Sequence, residues 1–529
     1  MRLILGSRSN NRRSRTSSDY QNQPVPLSPN LDAQLAALKE RLGASTDFVI
    51  HKIMETSDGS CRLAVCFISG LVDQQLVSQF IADANRIAKE MTVHGPLEPR
   101  KIKERLTIGG VSPVRDENKL LFQLLDGQIA LLAHGSGEAL AAAVAGGPRR
   151  AVEEPSSQTV IRGPKEGFTE DISTNTALVR RILTTPELRI VTYKIGRYTN
   201  TKVSLFYIEG IAKPEVVQEA KARLLSIDAD SILESGYIEE YIQDGVRSPF
   251  PTMMNTERPD AVAGGLLEGM VAIMVDGTPY VLMAPVTFFR FLTSSEDYYQ
   301  RYDISSFLRV IRLVAFFLAL LLPSLFIAVT TFQQEMLPTT LLITLAAQRE
   351  GTPLPTLMEG FLMELTFEVI REAGVRMPRA IGPAISIVGA LVLGQAAVQA
   401  GLVSAAMVIV VSFTAICNFV LPAINMSAAV RLLRFLLMFL AGSFGLFGIL
   451  AGLVPILAHL SALESFGVPY LAPIAPFTRS NLKDLIVRVP WWKMRTRPAM
   501  IGADNRMRQS ERQESFAERA KKHRRDPLS

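Results

Sequence analysis

The sequence predicts an α/β soluble N-terminal half, built from a duplicated α/β unit, followed by an α-helical transmembrane domain. Three observations carry this. From Ala380 to Val430 there is no Lys, Arg, Asp or Glu, whereas one helical crossing needs about 20 apolar residues. Between Leu31 and Thr287 a strand-glycine-helix pattern occurs twice. Finally, the 529 residues are 48% hydrophobic with a mean hydropathy of +0.21, yet 20% are charged. That is too apolar for an ordinary soluble protein and too charged for a purely membrane-embedded one.

Residues 1–30 read as a disordered basic leader, with Arg2, Arg8, Arg12, Arg13 and Arg15 and an apolar start too short for a signal peptide. The first α/β subdomain is assigned to 31–145, where the apolar run Leu63 to Ile68 leads through Gly70 into a helical pattern. A Gly/Pro-containing linker, 146–164, separates it from a second subdomain over 165–301. There Val203 to Ile208 leads through Gly210 into another helical pattern. A further pairing matches Leu125-Asp126-Gly127 before Gln128 to Ala133 with Val275-Asp276-Gly277 before Thr278 to Ala284. Leu266 to Val286 is apolar enough to mimic a crossing, but Glu268, Asp276-Gly277 and Pro279 divide it into a hairpin. Gly135-Ser136-Gly137 and Gly264-Gly265 lack the Lys-Ser/Thr or acidic partner of a nucleotide-binding loop.

The helical membrane domain is assigned to 302–477, with about four crossings and a re-entrant or interfacial hairpin. Ser294-Ser295-Glu296-Asp297 starts a helical turn, and Arg301, Arg309 and Arg312 precede the apolar run Leu313 to Phe332, which Pro323 interrupts. These arginines favour a cytoplasmic N-terminal half. Leu337 to Ala347 is too short to span, and Glu359, Glu364, Glu368 and Glu372 punctuate the segment after it, hence the hairpin. Glu364, Glu368 and Glu372 recur every four residues and share a helical face. They fit an ion-paired or solvated stripe, or an acidic vestibule assembled from several copies.

Within the uncharged run, Gly382, Ser386, Ala390 and Gly394 align small residues for close helix packing. Val388, Val392, Gln395 and Gln399 form the opposite stripe, which carries the only amides of that crossing. Amides in lipid need partners, so the stripe faces protein or a water-lined pore. Phe435 to Leu463 forms the last crossing, its Gly442, Gly445, Gly448 and Gly452 gathered toward one packing face. Residues 478–529 form a basic cytoplasmic tail: from Arg488 onward twelve Lys or Arg face five Asp or Glu, beside Trp491-Trp492. Next to apolar helices this composition points to membrane lipids rather than nucleic acid. Cys61, Cys66 and Cys417 form no disulfide or metal framework, and the five histidines lack ligand spacing, so no metal or other cofactor is expected.

A series of co-ordered motifs carries a family resemblance. These include Thr256-Glu257-Arg258-Pro259-Asp260, Val275-Asp276-Gly277-Thr278-Pro279, Glu296-Asp297-Tyr298-Tyr299, Met363-Glu364-Leu365-Thr366-Phe367-Glu368 and Gly394-Gln395-Ala396-Ala397. From Asp171 to Phe477 the chain resembles the A-subunit family of GerA-type spore germinant receptors. The resemblance implies the inner membrane of bacterial spores, a permease-like B subunit and a lipoprotein C subunit as partners, and a homo-oligomeric, pentameric ring forming a nutrient-gated cation channel. No nucleophile-base constellation is present, in keeping with a non-enzyme. The competing reading is a transporter or membrane scaffold that binds the nutrient within one chain, for which inverted repeats in the membrane half would be the mark.

Overall fold

The computed structural model describes residues 24–55, 61–91, 99–146, 160–377, 394–477 and 484–497, with isolated positions in 155–158 and 501–509. Two compact units emerge. One comprises Met1–Ile242, Asn255–Pro285 and Arg495–Glu511; the other comprises Gln243–Met254, Val286–Met494 and Arg512–Ser529.

The first unit contains the same order of elements twice. Its first half runs α1 (Leu31–Arg41), β1 (Phe48–Glu55), β2 (Cys61–Ile68), α2 (Gln74–Met91), α3 (Pro99–Arg105), β3 (Ser112–Val114), α4 (Glu117–Leu125), β4 (Gln128–Ala133) and β5 (Ala139–Ala143). The second runs α5 (Ile172–Ile182), β6 (Leu188–Ile195), β7 (Thr201–Ile208), α6 (Pro214–Leu225), α7 (Ser235–Ile242), β8 (Met254–Thr256), α8 (Pro259–Glu268), β9 (Val271–Val275) and β10 (Val281–Ala284). The sheets have the orders β1-β2-β4-β5-β3 and β6-β7-β9-β10-β8, so each strand of one has its counterpart in the other. The described registers are antiparallel.

Period-two alternation explains the layers of the first sheet. Ala64, Cys66, Ala130 and Leu132 pack with Leu35 and Leu38 of α1 and Leu120 and Leu124 of α4. Their neighbours Leu63, Val65, Ile129 and Leu131 face the other way, onto Phe80, Ala84 and Ile87 of α2 and Ile102 of α3. With helices on both faces, the central strands must be apolar throughout, which is how they read in the sequence. Asn30, Asp116 and Asp171 accept backbone N–H bonds at the starts of α1, α4 and α5. Pro214 and Pro259 open α6 and α8, where a missing N–H costs nothing.

Gly70 and Gly210 do occupy matching turns after β2 and β7, with φ of 87° and 79°. The second expected pairing is wrong by one strand. Gly127 lies between α4 and β4, and its counterpart is Gly269 between α8 and β9; Gly277 turns between β9 and β10 and corresponds to Gly135. A turn-plus-apolar signal looks alike before either strand of a hairpin, which caused the slip. The expected hairpin itself is present: β9 and β10 pair from Val271↔Ala284 to Met274↔Val281.

A buried ion pair joins the two halves of this unit. Arg180 on α5 donates from Nε to Asp47 Oδ2 at 2.7 Å and from Nη2 to Asp47 Oδ1 and Ser45 Oγ at 3.0 and 3.1 Å. Close by, Thr46 N–H donates to the Ile190 carbonyl at 3.0 Å, and Ile190 N–H to Ser45 Oγ at 2.9 Å.

The second unit is helical: α9 (Tyr302–Thr331), α10 (Thr339–Arg349), α11 (Thr356–Arg376), α12 (Ala405–Val420) and α13 (Ile424–Ala462). Ile327 and Ala328 of α9, Met407 and Val411 of α12, and Met438, Ala441 and Ile449 of α13 form its core. No residue of α10 is buried. Thr356–Arg376, expected within a re-entrant or interfacial hairpin, is one helix packed against α9, α12 and α13. At 1.5 Å per residue it is about 30 Å long.

The final apolar run departs from a single uninterrupted crossing. Gly445 has φ 61° and ψ −142°, which interrupts α13. A Cβ at Gly452 would lie 2.6 Å from Leu437 Cδ2, and one at Gly448 would strike the Leu440 backbone. Residues 15 apart in a continuous helix are separated by about 22 Å, so the chain folds back at Gly445. Gly448 and Gly452 permit close contact between the two arms, while Gly442 accommodates Leu357. Gly445, Gly448 and Gly452 therefore serve a reversal, and Gly442 a contact with α11, instead of one face of a single crossing.

The ends of the bundle meet. After α13, β11 (Glu464–Ser465) pairs with β12 (Val468–Pro469). Ser465 Oγ then accepts the Val286 N–H at 3.0 Å, and Phe288 N–H donates to the Tyr470 carbonyl at 2.8 Å. The end of α13 is thus fastened to residues that precede α9.

Candidate functional site

Charge within the helical unit is concentrated along α11. Glu364 accepts Arg434 Nη1 on both carboxylate oxygens, at 2.8 and 2.9 Å, and both side chains are 1% exposed. Glu368 Oε2 receives Arg431 at 2.7 Å and Arg371 at 2.8 and 3.0 Å. Glu372 is matched with exposed Arg376 at 2.8 Å. The four-residue spacing of the acids on α11 meets Arg431 and Arg434 on α13, a correspondence invisible without the tertiary fold. Glu364 and Glu368 are compensated within this chain.

Of the expected pore stripe and packing face, Val388, Val392, Gly382, Ser386 and Ala390 lie outside the described residues. Gly394, Gln395 and Gln399 belong to the helical segment 394–399. Gly394 approaches Val408 on α12, where a Cβ would make ordinary contact at 3.8 Å. Gln395 and Gln399 are both exposed in the single chain.

A second polar cluster lies at the start of α9. Asp297, 1% exposed, accepts Arg309 Nε at 3.1 Å and Arg312 Nη1 at 2.7 and 2.8 Å. Arg309 also reaches Asp484 at 2.7 Å, and the Tyr298 hydroxyl donates to Asp484 at 2.7 Å. The expected helical turn at Ser294-Ser295-Glu296-Asp297 is a short 3-10 turn, and Ser294 forms a capping box with Asp297 there. Arg309 and Arg312 are therefore neutralised in place, which removes part of the charge used for the orientation expectation. Asp484 was missed because nothing local ties it to Arg309, far away in sequence. In the tail, Trp491 Nε1 donates to the Tyr298 carbonyl at 3.2 Å. Arg497, within the first unit, donates to the Leu267 and Met507 carbonyls at 2.8 Å. Both contacts give parts of the expected membrane-facing tail a structural task.

Among the described residues no group of three His, Cys, Asp or Glu is placed to hold a metal ion. In the first unit, burial and the nearby Glu234 push the Glu239 carboxyl up to about 7. Despite its burial, hydrogen bonds from Ser235, Gly236 and Thr278 hold Glu234 below the usual carboxylate range.

These features define a two-part protein: a layered unit of repeated topology, and a helical unit in which, among the described residues, α9 and α13, the latter counted across its break at Gly445, are long and apolar enough to cross a membrane. The family described as Bacillus/Clostridium GerA spore germination protein matches residues 36–500. Spore germination protein KA of Bacillus subtilis (strain 168) is 45% identical over 93% of this chain and 90% of its own length. Spore germination protein GerLA of Bacillus cereus is 36% identical over 92% and 99%. The crystal structure of the N-terminal domain of the A subunit of the Bacillus megaterium spore germinant receptor GerK3 is also similar, at 39% identity. It covers 50% of this chain and 98% of that one, with a TM-score of 0.40. The chain belongs to the GerA spore germination protein family.

Proposed function

We propose that this chain is the A-type subunit of a nutrient germinant receptor, and that several copies surround a common axis as a nutrient-gated cation channel in the spore inner membrane. A permease-like B subunit and a lipoprotein C subunit are its proposed partners, and five copies its proposed stoichiometry. The observation that carries the channel reading is the exposure of Gln395 and Gln399. Amides that are not buried as interhelical contacts within one chain need water or another copy once lipid surrounds the bundle. On the same stripe, Val388 and Val392 would form apolar collars that resist wetting. Because Arg488 of the tail donates to Ser306 Oγ and to the Gln300 carbonyl at the start of α9, the reading assigns an even number of crossings. The N-terminal half and the basic tail then share the cytoplasmic side. Glu372, with only an exposed partner, is the remaining candidate for vestibule charge.

The test is cation flux measured beside complex abundance. Val392→Ala should leak without nutrient, and Val392→Phe should block conduction while the complex still forms. Normal gating in both variants would remove Val392 from the gate; a loss of abundance in both would assign the stripe to packing. Nutrient-binding membrane transport by one chain predicts instead that nutrient binding and transport survive in a monomer.

A further inference from the structure

One buried carboxylate takes no part in the ion pairs of α11. Glu359 is 0% exposed, and its Oε1 accepts the backbone N–H of Ser404, the residue that caps α12. Its other oxygen, Oε2, is buried and has no hydrogen-bond partner among the described residues, and the same holds for Oγ1 of Thr356, which is 2% exposed. Thr356 and Glu359 are three residues apart on α11 and therefore neighbours on one helical face. Nearby walls are apolar: a Cβ at Gly360 would meet Met438, Ile327 and Met407 between 3.1 and 3.3 Å. Ser404 Oγ accepts the Met407 N–H, and Arg434 directs its Nη1 to Glu364, not to Glu359.

Electrostatics identify what fits. An ionised carboxylate in a dry bundle carries a desolvation cost of several kcal/mol. The start of α12 supplies only about half a positive charge, and it acts at Oε1. Oε2 and Oγ1 are oxygen ligands left for a compact positive charge. A single carboxylate beside one hydroxyl oxygen suits a monovalent ion; the multiple carboxylates favoured by divalent ions are absent among the described residues.

We propose that Glu359 and Thr356 hold one small monovalent cation, of the sodium or potassium class, at the joint between α11 and α12. Such an ion would secure the two helices through Ser404. The proposal concerns a resident ion within one chain and does not rest on the channel reading.

The test uses the full-length chain in detergent, unfolded thermally in sodium, potassium or choline chloride at fixed ionic strength. The unfolding midpoint should rise saturably with sodium or potassium but not with choline. Thr356→Val should shift half-saturation to higher concentration, and Glu359→Gln, which retains an acceptor for Ser404, should abolish the cation-specific rise. Equal midpoints in all three salts, or a saturable rise retained by Glu359→Gln, would overturn the proposal. If Glu359→Gln does not fold, Thr356→Val decides: unchanged half-saturation also overturns it.

Discussion

Both units bury an arginine against a carboxylate, but they finish the job differently. In the layered unit, Arg180 places two nitrogens on Asp47 and shares one of them with Ser45. In the helical unit, Arg434 binds both oxygens of Glu364 through Nη1 and leaves Nε buried without a partner. Ser324 Oγ, Asn418 Oδ1, Thr356 Oγ1 and Glu359 Oε2 likewise have no partner there among the described residues. An unpaired polar group inside a dry bundle is costly. Among the described residues the layered unit leaves fewer such atoms, Gln123 Oε1 on α4 being one, whereas the helical unit retains more polar capacity for ions, water or other chains.

This contrast can be broken directly. Arg434→Met should be the most damaging change, because it strands Glu364. A loss of about 3–5 kcal/mol is expected for a broken buried pair, read as a collapse of protein level and a lower unfolding temperature. Arg180→Met should cost about 3 kcal/mol, since Ser45 can still serve the Ile190 N–H. Equal losses would weaken the distinction between the units. Glu364→Gln combined with Glu368→Gln should reduce assembly before conductance, as expected if these acids balance arginines within the chain.

Gly445→Ala probes the helix reversal. It puts a side chain at positive φ and a Cβ 2.8 Å from the Gln333 amide, for an expected cost of about 1–3 kcal/mol. Unchanged thermal stability would show that the fold-back does not need this conformation.

A smaller and pH-dependent effect is expected in the layered unit. Folding raises the Glu239 carboxyl to about 7 from 4.5. The unfolded chain therefore releases this proton more readily, and stability falls as pH rises from about 4.5 through 7, staying reduced above that range. Glu239→Gln should accordingly stabilise the chain at pH 8, on the order of 1–3 kcal/mol, with little gain near pH 4. Parallel melting curves for the two proteins across that range would contradict the assignment.

The sequence exposed the repeat because Leu63 to Ile68 and Val203 to Ile208 each lead through a glycine into a helix. It misassigned the Gly277 pairing because hairpin signals recur. In the helical unit, composition located apolar segments, but the chain reversal at Gly445 depends on contacts with Leu437, Leu440 and Gln333. The acids on α11 were legible as a stripe, whereas their partners on α13 were not. Glu359 was visible only as a charge interrupting an apolar segment; its significance comes from an oxygen left unpaired in three dimensions.

The most direct measurement for the central claim is the mass of the full-length complex purified in detergent, supported by cross-linking in the membrane. The channel reading predicts a stable assembly of several copies, five by family expectation, with cross-links between Gln395 positions of neighbouring copies after cysteine replacement. A monomeric mass, without such cross-links in the membrane, would contradict a shared pore.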